Sequence, residues 1–228
     1  MANIYLARHG QASFGSENYD QLSELGLRQC FLLGQWMKQT RQPIDQLKLG
    51  DMHRQRQSAE AFMEGYGARL PQSVDVGLNE FDHIQVLRVS YPEFSSAAQL
   101  THFLSKQEQP RAVFEKLFDQ ALLRWMSGAH DADYAESWLG FQERVHGSMD
   151  RLASDDIDSI VFSSAGPITV ACQKLLSIPD SHLLHLLSTM LNSSVTRLLK
   201  KHGRLKLVGI NSVAHLEQHA DPSLISYR

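Results

Sequence analysis

The chain has 228 residues, of which 43% are hydrophobic and 21% are charged, a balance typical of a soluble globular protein. Its 22 Lys and Arg residues stand against 25 Asp and Glu residues, so the formal net charge is −3, and no basic stripe is present. We therefore expect no nucleic-acid partner. The longest apolar stretch, residues 157–178, is broken by Gly166, Pro167 and Lys174, so it predicts a strand followed by a helix and not a membrane span.

Two cysteines, Cys30 and Cys172, lie far apart in the sequence, each in a stretch that is predicted to be helical. This arrangement predicts buried free thiols in a reducing compartment. The first predicted strand begins before a charged and then apolar leader could fit, so we expect no signal peptide. These features favour a cytoplasmic protein, and they leave its oligomeric state open.

Strands and helices alternate along the first third of the chain. Ser23 is a typical N-cap residue, because apolar side chains at helical spacing begin directly after it. The predicted elements here are strands over residues 4–7, 47–49 and 74–76, with Val74 and Val76 alternating in the last, and helices over residues 24–39 and from 50–56 onward.

The same alternation returns in the last third of the chain, after a region that is difficult to assign over residues 81–110. The predicted elements are helices around residues 113–125 and 138–149, a strand over 160–162, a helix with Pro167 at its first position, and late strands over 195–199 and 205–210. Strands that alternate with helices predict an α/β architecture with a mostly parallel sheet. We interpret the chain as a single domain, 1–228, with residues 81–135 as an insertion or lid.

The feature with most chemical content is Arg8-His9-Gly10, directly after the first predicted strand. In open α/β sheets, ligands bind at the carboxyl ends of the strands. The sequence therefore predicts that a phosphate-binding cation and a nucleophilic imidazole lie together at that edge. Taken alone, each of these residues also has an ordinary structural explanation, such as an ion pair for Arg8 or a core position for His9.

Six segments, in the same order along the chain, carry a resemblance to a known family. They are residues 6–11 (LARHGQ), 22–29 (LSELGLRQ), 50–59 (GDMHRQRQSA), 78–80 (LNE), 136–144 (ESWLGFQER) and the pair 192–196 (NSSVT) with 211–216 (NSVAHL). This set resembles the histidine phosphatase superfamily, also called the phosphoglycerate mutase-like family. The resemblance implies a three-layer α/β/α fold with a helical insertion near the site, and late strands that contain His215.

The resemblance also implies phosphoryl transfer through a phosphohistidine on His9, without a metal or any other cofactor. Arg8 and Arg54 would bind the phosphate, and two such cations would keep the imidazole neutral. Glu80 would act as general acid and then as general base, with Asp82 as a nearby competitor for that role. The expected substrate is a phosphate monoester of a small molecule or a protein.

The chain departs from the family pattern at the loop before the helix that contains Pro167. The family pattern there is S-H-G-G-x-I, and Ser164 stands where the second histidine is expected. A hydroxyl can donate one hydrogen bond to phosphate, but losing a charged donor typically costs about 10²–10³ in rate, so we expect reduced activity. Gly166 at the helix start remains a candidate anion contact, Gln11 is another, and His83 is a candidate substitute for the missing imidazole.

A further departure concerns the loop after His9, where the family has an asparagine and this chain has Gly15, with Asn18 three residues later. The acid-bearing segment also differs from that of the mutases, because the acidic Asp82 lies where their E-R-H-Y-G pattern provides a cationic patch. Hydrolysis of a monophosphate is therefore favoured over a mutase-type phosphotransfer. Ser164 keeps a second alternative open, in which a degenerate family member binds a phosphorylated ligand without turnover.

Metal chemistry is a weaker alternative, suggested by eleven histidines. The pairs at 182 and 185 and at 215 and 219 have the spacing of ligands on a helix, but no H-E-x-x-H motif accompanies them. We expect no metal site.

Overall fold

Six strands form one sheet in the computed structural model, which describes residues 1–13 and 20–227. The strands are β1 (Ala2–Arg8), β2 (Gln46–Leu49), β3 (Gln72–Val74), β4 (Ser159–Ser163), β5 (Val195–Lys201) and β6 (Arg204–Ser212). Their order across the sheet is β3-β2-β4-β1-β5-β6. The pairs β1–β4, β2–β4 and β2–β3 are parallel, whereas β1–β5 and β5–β6 are antiparallel. The predicted mostly parallel sheet is confirmed.

The chain divides into two compact units, the first made of Met1–Glu80 with Arg144–Arg228 and the second of Phe81–Glu143. The helices of the first unit are α1 (Glu24–Gln39), α2 (His53–Tyr66), α7 (Ala165–Leu176), α8 (Leu183–Thr189) and α9 (Ala214–Glu217). Those of the second are α3 (His83–Ser90), α4 (Ala97–Leu104) and α5 (Pro110–Met126), and α6 (Trp138–Ser154) crosses the boundary. No helix within the described residues is long and apolar enough to cross a bilayer.

Helices cover both faces of the sheet within the first unit, which confirms the three-layer prediction. Side chains of β1 alternate between the faces: Tyr5 and Ala7 pack with α1 and α2, whereas Ile4 and Leu6 pack with α6 and α7. One cysteine lies in each of the two helical layers. Both Cys30 and Cys172 are buried free thiols, as expected, and burial raises their pKa values to about 11 and about 12, respectively.

Two predicted boundaries are wrong, for local reasons. β3 ends at Val74, and Val76 begins a short 3-10 turn because the Asp75 carboxylate accepts a hydrogen bond from the Gly77 amide and turns the chain. Pro167 is the third residue of α7, not the first, because the helix begins at Ala165. Neither shift moves the loop before α7 away from the end of β4.

Two glycines bring the backbones of α1 and α2 into direct contact. A Cβ atom on Gly34 would lie 2.1 Å from the carbonyl oxygen of Phe62, and one on Gly65 would lie 2.0 Å from that of Phe31. No side chain larger than hydrogen fits either position without moving a helix. This contact sets the distance of α2 from the helix that follows β1.

Replacing Gly34 by alanine is therefore expected to destabilise the protein by about 1–3 kcal/mol, because the added methyl group meets backbone that can yield only by a helix shift. Gly147→Ala is the matched control, since its Cβ would meet only the Arg151 Nη1 atom at an ordinary 3.4 Å and helix propensity favours alanine. The free energy of unfolding, measured in urea, should fall only for Gly34→Ala. Equal stability of the two variants would contradict the close contact.

Candidate active site

His9 follows β1 directly and is pinned by the ends of two neighbouring strands. Its backbone amide donates to the Ser163 carbonyl oxygen at 2.9 Å, and its own carbonyl oxygen accepts from the Ser193 amide at 3.1 Å. The residue is 6% exposed. A histidine at the carboxyl end of a central strand, held on both sides, has a fixed backbone from which to present its ring.

The glycines of the first two motifs are explained by one close approach. A Cβ on Gly10 would lie 2.2 Å from the Gly26 carbonyl oxygen, and one on Gly26 would lie 2.2 Å from the Gln11 carbonyl oxygen. The Gly10 amide donates to Ser58 Oγ at 3.1 Å. The loop after His9 thus lies directly against the first turn of α1, which only glycine at both positions permits.

The imidazole of His9 is oriented by one contact at each nitrogen. Nδ1 lies 2.7 Å from the Gly10 carbonyl oxygen, and Arg54 Nε lies 3.1 Å from Nε2. A carbonyl oxygen can only accept, so Nδ1 carries the hydrogen and Nε2 presents its lone pair to the Arg54 N–H. Burial, and then the charges of Arg54 and Arg8, hold the pKa of His9 well below its usual range. The ring is neutral at neutral pH, with Nε2 unprotonated.

Arg54 is held in place by a carboxylate that was not predicted from the sequence. Its Nη1 lies 2.8 Å from Asp20 Oδ1. The same carboxylate accepts from the backbone amides of His53 at 2.8 Å and Arg54 at 3.4 Å, at the start of α2. A signal for this contact was available, because Met52 is the N-cap residue of α2 and offers no side-chain acceptor. Asp20 supplies that cap from outside the helix.

The guanidinium of Arg8 binds backbone near the C-terminal end of the described residues. Its Nη1 donates to the carbonyl oxygens of Met190 and Tyr227, the latter at 2.7 Å. The Gln29 amide nitrogen holds the same terminal segment, donating to the Leu224 carbonyl oxygen at 2.7 Å. The guanidinium of Arg8, the residue before His9, is therefore bound to backbone carbonyl oxygens, and its charge contributes to the lowered pKa of His9.

Glu80 lies at the N-terminus of α7. Its Oε2 accepts from the Gly166 amide at 3.1 Å, where the helix dipole favours an anion. Arg144 holds the loop that carries this acid, with its Nη1 donating to the carbonyl oxygens of Asn79 at 2.6 Å and Gly77 at 3.2 Å. The predicted anion-binding element at Gly166 is thus engaged by the carboxylate of Glu80.

Ser164 is fully buried and contacts a residue of α2. Its Oγ accepts from Gln55 Nε2 at 3.0 Å, and the same nitrogen donates to the Leu78 carbonyl oxygen at 3.2 Å. Gln55 is also fully buried, and no role was predicted for it from the sequence. The signal was present, because glutamine stands there where the family pattern R-A-x-Q has alanine.

A second buried histidine supports the backbone of His9. Contrary to the expectation of a late strand, His215 lies in α9, because the chain leaves β6 at Ser212 and turns into a short helix. Its Nε2 lies 2.8 Å from Ser193 Oγ, and the Ser193 amide in turn donates to the His9 carbonyl oxygen. Burial lowers the pKa of His215 to about 3, so this contact is made by a neutral ring.

The remaining candidates have other partners or lie outside the described residues. Gln11 Oε1 accepts from Ser23 Oγ at 2.9 Å, beside the N-cap of α1. Asp82 caps α3, accepting from the Gln85 amide at 2.9 Å. His83 is the first residue of α3, and its ring packs edge-on against that of Phe118, with 6.5 Å between the ring centroids. That His83 substitutes for the missing second histidine stays a prediction.

The loop departure at Gly15 and Asn18 falls outside the described residues. Among residues 1–13 and 20–227, no group of three or more His, Cys, Asp or Glu side chains is arranged to hold a metal ion.

One edge of the sheet in this α/β protein thus brings together a neutral histidine, two arginines and a glutamate at a helix N-terminus. The sequence matches the model of the histidine phosphatase superfamily (branch 1) over residues 4–114 and 102–213. These matches span most of the chain, and the protein belongs to that superfamily.

Solved structures with the same fold include both mutases and phosphatases. A phosphoglycerate mutase from Bacillus anthracis is 17% identical, with a TM-score of 0.63 and coverage of 96% of this chain and 97% of its own. A phosphoserine phosphatase mutant from Entamoeba histolytica, in complex with phosphoserine, is 16% identical, with a TM-score of 0.61 and coverage of 95% and 100%.

A mycobacterial glucosyl-3-phosphoglycerate phosphatase, in complex with inorganic phosphate, is 20% identical, with a TM-score of 0.58 and coverage of 94% of this chain and 99% of its own. Identities this low show the shared fold alone. Among curated proteins, no sequence matches this one closely enough to count as a relative.

Two buried neutral histidines, His9 and His215, predict that the protein loses stability in acid. Their folded pKa values lie below the unfolded value, so below about pH 6.5 the unfolded chain binds protons that the folded chain does not. Each such histidine lowers the free energy of unfolding by up to about 1.4 kcal/mol per pH unit. His215→Gln, which keeps a polar group beside Ser193, should therefore flatten the pH dependence.

The measurement is urea unfolding from about pH 6 to about pH 4, where the slope for His215→Gln should be smaller than that of the unchanged protein by about 1.4 kcal/mol per pH unit. His102→Gln, on the exposed face of α4, is the control and should keep the original slope. An unchanged slope for His215→Gln would contradict the lowered pKa, because it would mean that His215 takes up a proton in the folded protein as readily as in the unfolded chain.

Proposed function

We propose that the protein is a phosphatase that hydrolyses a phosphate monoester through a phosphohistidine at His9. The observation that carries the proposal is the pair of hydrogen bonds on its imidazole. The Gly10 carbonyl oxygen accepts from Nδ1, and Arg54 Nε donates to the Nε2 lone pair at 3.1 Å. An unprotonated nitrogen beside a guanidinium is a nucleophile already next to the charge that would bind its anionic substrate.

In the first step, the Nε2 lone pair of His9 attacks phosphorus and the P–O ester bond breaks. Arg54 moves its N–H from Nε2 to a phosphoryl oxygen, where the guanidinium offsets the negative charge, and Arg8 contributes a second positive charge. Glu80 enters this step protonated, beside the phosphate; it gives its proton to the leaving oxygen and becomes a carboxylate, and the product alcohol departs. The charge on the phosphoryl oxygens is stabilised by fixed donors, without any step through a metal.

In the second step, Glu80 takes a proton from water while the water oxygen attacks phosphorus. The P–N bond breaks, inorganic phosphate leaves, and His9 is neutral again with its Nε2 lone pair restored. Ser164 and the Gly166 amide are proposed as further phosphate contacts, the second becoming available when Glu80 moves from the amide toward the substrate. Gln11 and His83 remain further candidates, and the substrate side of this site is proposed to take a small molecule or a protein phosphate monoester.

Two other functions are weighed against hydrolysis. A mutase-type phosphotransfer has support in the fold shared with the Bacillus anthracis phosphoglycerate mutase, but the acidic Asp82 after Glu80 disfavours a doubly phosphorylated ligand. Binding of a phosphorylated ligand without turnover is motivated by Ser164 in place of histidine. We propose hydrolysis in the cytoplasm by one domain, with residues 81–135 as its insertion or lid.

His9→Ala should abolish hydrolysis of p-nitrophenyl phosphate, because the variant lacks the nucleophile. The assay is run with excess chelator, which should leave the rate of the unchanged protein unaffected. His102→Ala, an exposed histidine of α4, serves as the control and should retain full activity. Residual hydrolysis by His9→Ala above that of buffer would refute the covalent route. Phosphate binding without hydrolysis by the unchanged protein would favour the binding alternative, and transfer between two glycerates without phosphate release would favour the mutase.

Glu80→Gln should slow the enzyme by about 10²–10⁴ with an alkyl phosphate, whose leaving oxygen needs a proton. The loss should be much smaller in the burst phase with p-nitrophenyl phosphate, since nitrophenolate leaves without protonation. Asp82→Asn is the matched control, because its carboxylate caps α3 and is not expected to transfer protons. Equal losses with both substrates would remove Glu80 from the role of general acid, and a larger leaving-group effect in Asp82→Asn would assign that role to Asp82.

A further inference from the structure

The N-terminus of α7 is unusual in that its N-cap serine does not cap the helix. Ser164 has the extended backbone of an N-cap residue, but its side chain makes no capping hydrogen bond. The reason is visible in the two residues that could donate. The Gly166 amide donates to Glu80 Oε2, and Pro167 has no amide hydrogen. The hydroxyl of Ser164 is thereby released from its usual role.

Gln55 determines how that hydroxyl is turned. The Leu78 carbonyl oxygen can only accept, so the Gln55 amide must turn its nitrogen toward Leu78, and the same nitrogen then donates to Ser164 Oγ. The Ser163 hydroxyl donates to the same Leu78 carbonyl oxygen, at 2.7 Å. Because an N–H occupies a lone pair of Ser164 Oγ, the hydroxyl hydrogen of Ser164 must point elsewhere.

The hydroxyl hydrogen of Ser164 has no acceptor within the part of the chain that the structure describes. Ser164 directly follows Ser163, whose carbonyl oxygen accepts from the His9 amide, and it lies two residues before the Gly166 amide that holds Glu80. Ser164 therefore lies in the segment that contacts both the proposed nucleophile and the proposed acid, and a phosphoryl oxygen is the acceptor that the site would bring to its hydroxyl.

We propose that Gln55 is a positioning residue, which orients the Ser164 hydroxyl as a hydrogen-bond donor to the phosphoryl group. This inference rests on the proposed function and extends it. A histidine at position 164 would carry its own donor hydrogen on a ring nitrogen, whereas a serine hydroxyl rotates freely unless a neighbour fixes it. In this chain the buried amide of Gln55 is that neighbour, and the two residues together replace one histidine.

A double-mutant cycle over Gln55→Met and Ser164→Ala tests the inference, because methionine keeps the volume of glutamine and removes its amide. Loss of a fixed donor costs about 10²–10³ in rate, so we expect Gln55→Met to lower kcat by at least about tenfold in the presence of Ser164. In the Ser164→Ala background, Gln55→Met should cost almost nothing further. Additive losses would mean that Gln55 only packs, and would overturn the inference.

Gln46→Met is the matched control, because Gln46 Nε2 donates to Ser159 Oγ at 2.9 Å. This is also a glutamine–serine pair, but it lies at the first residues of β2 and β4, at the sheet edge opposite to His9. It should leave kcat unchanged. All variants are checked for a melting transition first, and Gln55→Leu replaces Gln55→Met if the latter does not fold. A tenfold loss in Gln46→Met as well would overturn the inference, since the effect would then follow from the loss of a Gln–Ser hydrogen bond away from the site.

The affinity for orthovanadate is also measured, by calorimetry, for the four proteins of the double-mutant cycle. If hydrolysis is absent but Gln55 and Ser164 remain coupled in vanadate binding, the proposed function fails and the inference stands. If His9-dependent hydrolysis is present but the two substitutions are additive in both readouts, the inference fails and the proposed function stands.

Discussion

The site depends on one buried contact pair: His9 Nδ1 to the Gly10 carbonyl oxygen, and Arg54 Nε to His9 Nε2. The first contact fixes the tautomer, and the second places a cation beside Nε2, the proposed nucleophile. Burial beside cations makes the imidazolium unfavourable. In the proposed mechanism, the guanidinium of Arg54 passes from His9 to the charge that develops on the phosphoryl oxygens, so the site already contains the main electrostatic element of that reaction before substrate binds.

The rest of the first unit holds this pair in register. Gly10 and Gly26 let the loop after β1 lie against α1, and Gly34 lets α2 lie against the same helix. Asp20 then caps α2 and pairs with Arg54. Each contact fixes the position of a backbone segment and not of a side chain alone. The 3.1 Å distance between Arg54 Nε and His9 Nε2 therefore depends on the packing of α2 against α1 as well as on the contacts of the two side chains.

Much of this could be predicted from the sequence, because the deciding signals were local. The apolar run before Arg8, the N-cap at Ser23 and the ordered motifs led to the sheet, to α1 and to the family. What was missed depends on long-range contacts: the carboxylate of Asp20 reaches a helix more than thirty residues later, and Gln55 meets Ser164 across 109 positions. Val76 and His215 were assigned to strands because alternation and motif resemblance do not register a turn formed by one side chain, as at Asp75.

We propose Nε2 of a neutral His9 as the nucleophile, because the hydrogen on Nδ1 is bound by the Gly10 carbonyl oxygen. The most direct measurement is phosphorus NMR of the intermediate trapped in Glu80→Gln, where water activation is slowed, with His9 labelled with nitrogen-15. We expect a single phosphoramidate bonded to Nε2 of His9. A phosphoryl group on Nδ1 or on another residue, or its absence during active turnover, would contradict it.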